Sequence, residues 1–197
     1  MKKLFLDHLR DNPAVRYAVK HLSESGLQFH GNVFTDHYRG GKLLSHDNQG
    51  SNTFTTEGMA RLLNIMFGDV SKAASAIWYV GIFKNNVTPA LGDTAAAKLG
   101  AAGTYGECQD ADYDDPLTDK PSYVIASTST ASCTNAAAAA SFTMAGSITV
   151  YGAFLSTEKA KTATTGYLMC AKKFGTARAV IDNDVLAVTY VITATTS

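Results

Sequence analysis

The chain has 197 residues and a formal net charge of +0, and only 17% of its residues are charged, against about 25% in a typical globular domain. A chain of that length can bury roughly 70% of its unfolded surface, so neither a metal nor a disulfide staple is required. The balance excludes the clustered basic stripe of a nucleic-acid binder and suits a surface committed to neighbouring proteins. Leu4-Phe5-Leu6, after Met1-Lys2-Lys3, stops at Asp7-His8, short of a secretory core of about 7–15 apolar residues. No run approaches the roughly 20 apolar residues of a membrane span, so the expectation is neither a leader nor membrane insertion.

Composition divides the chain near residue 70. All five histidines precede it, and Ala, Thr, Ser and Gly dominate after it. The expected organisation is a region 1–70 of helix, hairpin and capped helix, followed by a β domain over 71–197. Asn12-Pro13 reads as a helix start, since Asn caps orphan N–H groups and Pro suits the first helical position. Val15, Ala18, Val19 and Leu22 then recur at helical spacing and Gly26 stops the helix. A strand over 27–38, the turn Gly40-Gly41 and a return over 42–46 form a hairpin. Thr55 or Thr56 caps a second helix with Glu57 in its first turn; Met59, Leu62, Leu63 and Met66 make its core-facing stripe, and Gly68 closes it.

From Ile77 the period changes. Strands are predicted over 77–83, 104–109, 123–129, 141–144, 148–155 and 167–174. Ile148, Val150, Gly152 and Phe154 are expected on one face, with Thr149, Tyr151, Ala153 and Leu155 on the other. After the turn Asp182-Asn183-Asp184, Leu186, Val188, Tyr190 and Ile192 alternate with Ala187, Thr189, Val191 and Thr193. The Ala136–Ala140 run is undecided between strand, helical turn and loop. Short strands with regular turns point to a mainly β fold, an antiparallel β-sandwich or jelly roll with a short N-terminal helical and hairpin region.

Residues able to carry chemistry are sparse. Asp110, Asp112, Asp114 and Asp115 hint at a calcium loop, but Asp115 stands where Gly is needed and Pro121 where Glu is needed; a solvated acidic loop is the expectation. The histidines have no H-x-x-x-H spacing, and His30 and His37 should point to opposite faces of one strand. Cys108, Cys133 and Cys170 show no C-x-x-C spacing and read as inert buried thiols. Neither a nucleophile elbow nor a phosphate loop occurs, and Trp78 and Tyr79 read as one core and one opposite-face aromatic. The chain is expected to have no enzymatic activity, no cofactor and no metal.

The order of segments carries a resemblance. A hairpin precedes the capped helix Thr56-Glu57-Gly58-Met59-Ala60-Arg61-Leu62-Leu63, then come Trp78-Tyr79-Val80-Gly81-Ile82-Phe83, a loop from Thr88-Pro89 to Asp93-Thr94, and Tyr105-Gly106-Glu107-Cys108. Gly152-Ala153-Phe154-Leu155 and Thr176-Ala177-Arg178-Ala179-Val180 complete it. This resembles a group of small structural proteins of tailed bacteriophages in which a W-Y-[VL]-G-[LI] strand and a G-A-F-L strand recur. The similarity covers roughly residues 30 to 194 and departs over 110–121, where relatives tend to carry an E-A-T-R-P-like segment. It implies a virion component made in the host bacterial cytoplasm: a cement or decoration protein on the capsid exterior, bound to the major capsid protein and to itself as a symmetric homo-oligomer. A tail, tail-fibre or head–tail junction component is the alternative. The stripe Val15, Val19 and Leu22, with no obvious intramolecular partner, is the expected partner contact. Nucleic acid and membrane are not expected partners.

Overall fold

A computed structural model describes residues 26–68, 78–125 and 129–196. His30–Thr193 forms one compact unit; a second unit joins the residues before 30 to those after 193, and only 26–29 and 194–196 of it are described. The helix expected over 12–26 lies almost wholly outside the described residues, as does Ile77.

Strand β1 (Leu27–Arg39) and strand β2 (Lys42–Ser51) form the expected hairpin, and β2 runs further than its sequence pattern suggested. Gly40 and Gly41 have φ of +55° and +75°, the left-handed pair that matches the twist of a tight hairpin. The chain then crosses through β3 (Thr53–Phe54) into helix α1 (Thr56–Phe67). Thr55 is the cap: its Oγ1 accepts the Gly58 N–H at 3.0 Å and donates to the Leu168 carbonyl. The inward contact of α1 is Gly58, where an added Cβ would meet Met169 backbone well inside 3.0 Å. Leu62 packs on the main core, but Leu63 and Met66 are exposed. The helix is thus turned from its expected stripe, because a close backbone approach needs the residue without a side chain inside.

There follow β4 (Tyr79–Phe83), α2 (Ala95–Lys98), β5 (Tyr113–Asp115), β6 (Ser132–Thr134), a 3-10 turn over Ala136–Ala138, β7 (Ala140–Met144), β8 (Ile148–Ser156), β9 (Leu168–Val180) and β10 (Val185–Thr196). One sheet has the order β2-β1-β10-β7-β5, with β6 also on β10; the other is β3-β9-β8-β4. The fold is a sandwich of two antiparallel sheets. Segments 104–109 and 122–125 are not strands. They make isolated bridges, Glu107 with Phe83 and Ser122 with Tyr79, and so cover the free edge of β4.

Val33, Val80, Ile82, Phe142, Val150, Leu155, Cys170, Leu186, Val188 and Tyr190 fill the space between the sheets. Phe83, Phe154, Leu168 and Ala171 belong to a separate cluster with Ala95, Leu99 and Tyr105. Along β4 and β8 these residues alternate with main-core residues, and on β9 the irregular pairing between Leu168 and Cys170 returns Leu168 and Ala171 to one face, so the second cluster lies on the other face of that sheet. The even alternation expected for β8 is broken: Val150, Ala153 and Leu155 share the main core, because the pairing with β9 is irregular between Val150 and Gly152.

Candidate functional site

The two segments that carry the phage resemblance are hydrogen-bonded neighbours. Gly81 lies opposite Phe154 and Phe83 opposite Gly152 on the β4–β8 pair. A Cβ on Gly81 would run into the Phe154 ring, and one on Gly152 into the Phe83 ring and the Lys172 carbonyl, all well inside 3.0 Å. Each glycine therefore makes room for the phenylalanine across from it. Phe83 then stacks on Tyr105 with ring centroids 4.8 Å apart. The W-Y-V-G-I-F and G-A-F-L strands are one interlocked packing unit. Trp78 packs partly buried against the main core, and Tyr79 is half-buried at the strand start.

The acidic stretch is laced by lysines. Lys84 Nζ donates to both oxygens of Asp112 at 2.8 and 2.7 Å, and Asp112 also accepts the Gln109 N–H. Lys161 reaches Asp110 at 2.9 Å, donates to the carbonyls of Tyr113 and Leu117, and lies 3.9 Å from the Tyr113 ring centroid. Lys120 and Glu107 form an ion pair at 2.9 Å with side chains 0% and 1% exposed. Glu107 further accepts the N–H groups of Gly100 and Thr162, while Lys120 donates to the Ala160 carbonyl. Glu107 and Asp112 are loop staples: buried carboxylates held by ammonium groups, with further lone pairs on backbone donors. Among the described residues, no group of three or more His, Cys, Asp or Glu side chains could hold a metal ion.

A second charged cluster closes one end of the sandwich. Asp184, in the β9–β10 turn, accepts from Arg39 Nε and Nη2 at 2.8 Å each, from His37 Nε2 at 2.8 Å and from the Ile181 N–H at 2.9 Å. The Arg39 hydrogen bonds hold its carboxyl well below the usual carboxylate range, with the Ile181 N–H and His37 acting in the same direction against desolvation. Beside it an open depression of about 620 Å³ is lined by Arg39, Ser147, Ile148, Thr149, Ala179, Val180 and Ile181. That lining offers one cation already engaged by Asp184, two hydroxyls and apolar walls. Nothing in it joins a base to a nucleophile.

The expected contact residues Val15, Val19 and Leu22 lie outside the described residues, as do His8 and His21. His30 is exposed and His37 buried, on opposite faces of β1 as their spacing required. Burial pushes the thiols of Cys108 and Cys170 up, whereas Cys133 is half-buried beside the Tyr123 hydroxyl. Sequence reasoning missed Asn135, which is fully buried and bridges two backbone groups of β10. Its only local signal was a polar residue interrupting a small-residue run. No protein-family model, curated protein or solved structure matches this chain.

Proposed function

We propose that the chain is a non-catalytic virion structural protein of a tailed bacteriophage, a cement or decoration protein that binds the outer surface of the capsid lattice and stabilises it. The observation that carries this reading is the interlock of β4 and β8. The two motifs behind the phage resemblance meet in one packing unit through Gly81–Phe154 and Phe83–Gly152, which gives their co-occurrence a structural cause. The charged groups support the same reading. Glu107, Asp112 and Asp184 bind Lys120, Lys84 and Arg39 and backbone N–H groups, which makes them supports rather than reactive acids and bases.

The test is the copy number of the chain in purified virions against the major capsid protein. A ratio near capsomer stoichiometry is expected. A handful of copies per particle would move the chain to the tail or its connector, and absence from virions would discard the assembly role.

A further inference from the structure

The two sheets differ in what covers them. The outward residues Phe83, Phe154, Leu168 and Ala171 of the β3-β9-β8-β4 sheet are buried under Ala95, Leu99 and Tyr105. Helix α1 packs on that sheet too, through Gly58 against Met169. No described helix lies over the outer face of the other sheet. Its middle strand is β10, on which Leu186, Val188 and Tyr190 are fully buried while Val185, Ala187, Thr189 and Val191 point outward and stay partly exposed. Across the pairing, Val185 sits opposite Thr143 and Ala187 opposite Ser141. Phe34 and Tyr38 of β1 continue the same face. Solvated sheet faces usually carry polar residues out; this one is uncharged along its centre. The nearest charge is Asp36 on β1, one strand from β10 and engaged by His46, and Asp115 of the edge strand β5 lies opposite Thr143.

We propose that this face, centred on Val185, Ala187, Thr189 and Val191, is a homotypic interface on which two copies of the chain pack sheet against sheet about a two-fold axis. Only residues at the axis itself meet their own copies, so a lone charge at the centre would confront a like charge. The central strand carries none. A neutral centre within a charged rim is the anatomy of a protein–protein contact. The size also fits. At about 4.8 Å spacing and about 3.4 Å per residue, β1, β2 and β10 over the 185–193 length together with the shorter β7 and β5 give a footprint of about 570 Å², near the roughly 600 Å² per partner at the lower end of stable interfaces. The inference deepens the homo-oligomer of the proposed function by giving it a surface, and its association measurement needs no virion.

The full chain is measured by light scattering and sedimentation over a concentration series, alongside Thr189→Lys, Thr189→Glu and an equal mixture of the two. Wild type is expected to be dimeric. Each variant alone should dissociate about 100-fold more readily, since a like-charge pair is buried at the axis, with an unchanged circular dichroism spectrum. The mixture should regain the dimer, because Lys now faces Glu, which a folding defect would not allow. A wild type that is monomeric at roughly 100 µM, variants that associate like wild type, or folded variants whose mixture stays monomeric would each overturn the assignment. Variants that are dimeric yet no longer bind capsids would also overturn it, giving the face to the lattice instead. A virion copy number that fails the cement reading leaves the dimer measurement standing.

Discussion

Asn135 is the residue whose removal should be most informative. β10 pairs with β7 up to Val188 opposite Ala140 and with β6 from Val191 opposite Thr134. Between these partners no strand faces β10, and the Asn135 side chain fills the gap: Nδ2 donates to the Val188 carbonyl at 3.1 Å and Oδ1 accepts the Tyr190 N–H at 2.8 Å. Asn135→Ala leaves both backbone groups buried without those partners, at about 1–3 kcal/mol each, so a loss of about 3 kcal/mol is expected. With a urea slope of about 2 kcal/mol/M, the unfolding midpoint should fall by about 1.5 M at unchanged slope. Asn135→Asp should do no better, because a carboxylate oxygen replaces the donor to the Val188 carbonyl. Hydrogen exchange at the Tyr190 amide should accelerate in both variants. A midpoint shift under about 0.25 M for Asn135→Ala, equivalent to about 0.5 kcal/mol, would refute the bridging role.

Gly152→Ala should cost about 3 kcal/mol, because its Cβ meets the Lys172 carbonyl as well as the Phe83 ring and only the ring can give way; differential scanning should show a melting temperature about 6–12 °C lower. Lys120→Met strands a buried Glu107 carboxylate and should cost about 3–5 kcal/mol. The double variant Lys120→Met/Glu107→Gln should recover part of that loss in urea unfolding, and no recovery would mean the carboxylate was never the problem. Asp184→Asn tests the sign of a pH effect. Arg39 favours the ionised form in the folded state, so Asp184 contributes fully above the ordinary carboxylate value of about 4 and less as pH falls toward its lowered value. The gap between wild-type and variant midpoints should hold from pH 7 to 5 and narrow below about pH 4; a gap below about pH 4 as wide as that at neutral pH would sink the assignment.

Local signals in the sequence led to local structure. Gly40-Gly41 gave the turn, Thr55 the cap, and the alternation from Leu186 to Ile192 the buried face of β10. In each case the cause acts within a few residues. What failed depended on distant partners. Segments 104–109 and 122–125 have strand composition because they are partly buried against β4, yet they make single bridges in place of ladders. Leu63 and Met66 kept helical spacing, but the close approach of β9 at Met169 selected Gly58 as the inward residue. His37 and Asp184 are 147 positions apart, and Asn135 and Val188 are 53 apart. No spacing rule reaches so far, so these pairs become visible only once the sheets are laid together.

The overall share of charged residues also conceals where charge is spent. Glu57 accepts the N–H groups of Ala95 and Leu168, Glu107 those of Gly100 and Thr162, Asp93 that of Ala90, Asp112 that of Gln109 and Asp184 that of Ile181. Five carboxylates of a small set thereby act as backbone acceptors that hold loops, and Asp93, Glu107, Asp112 and Asp184 are themselves buried. Lys120, the partner of Glu107, follows it inward and is 0% exposed. In the acidic segment Asp110, Asp114 and Asp115 are exposed, as a solvated loop requires, and only Asp112 is drawn into the scaffold. Strong long-range steering needs unpaired surface charge of one sign, and this fold has placed much of its charge in internal pairs. Recognition by such a surface depends on shape and on neutral contact, which is the chemistry that the outward residues of β10 present.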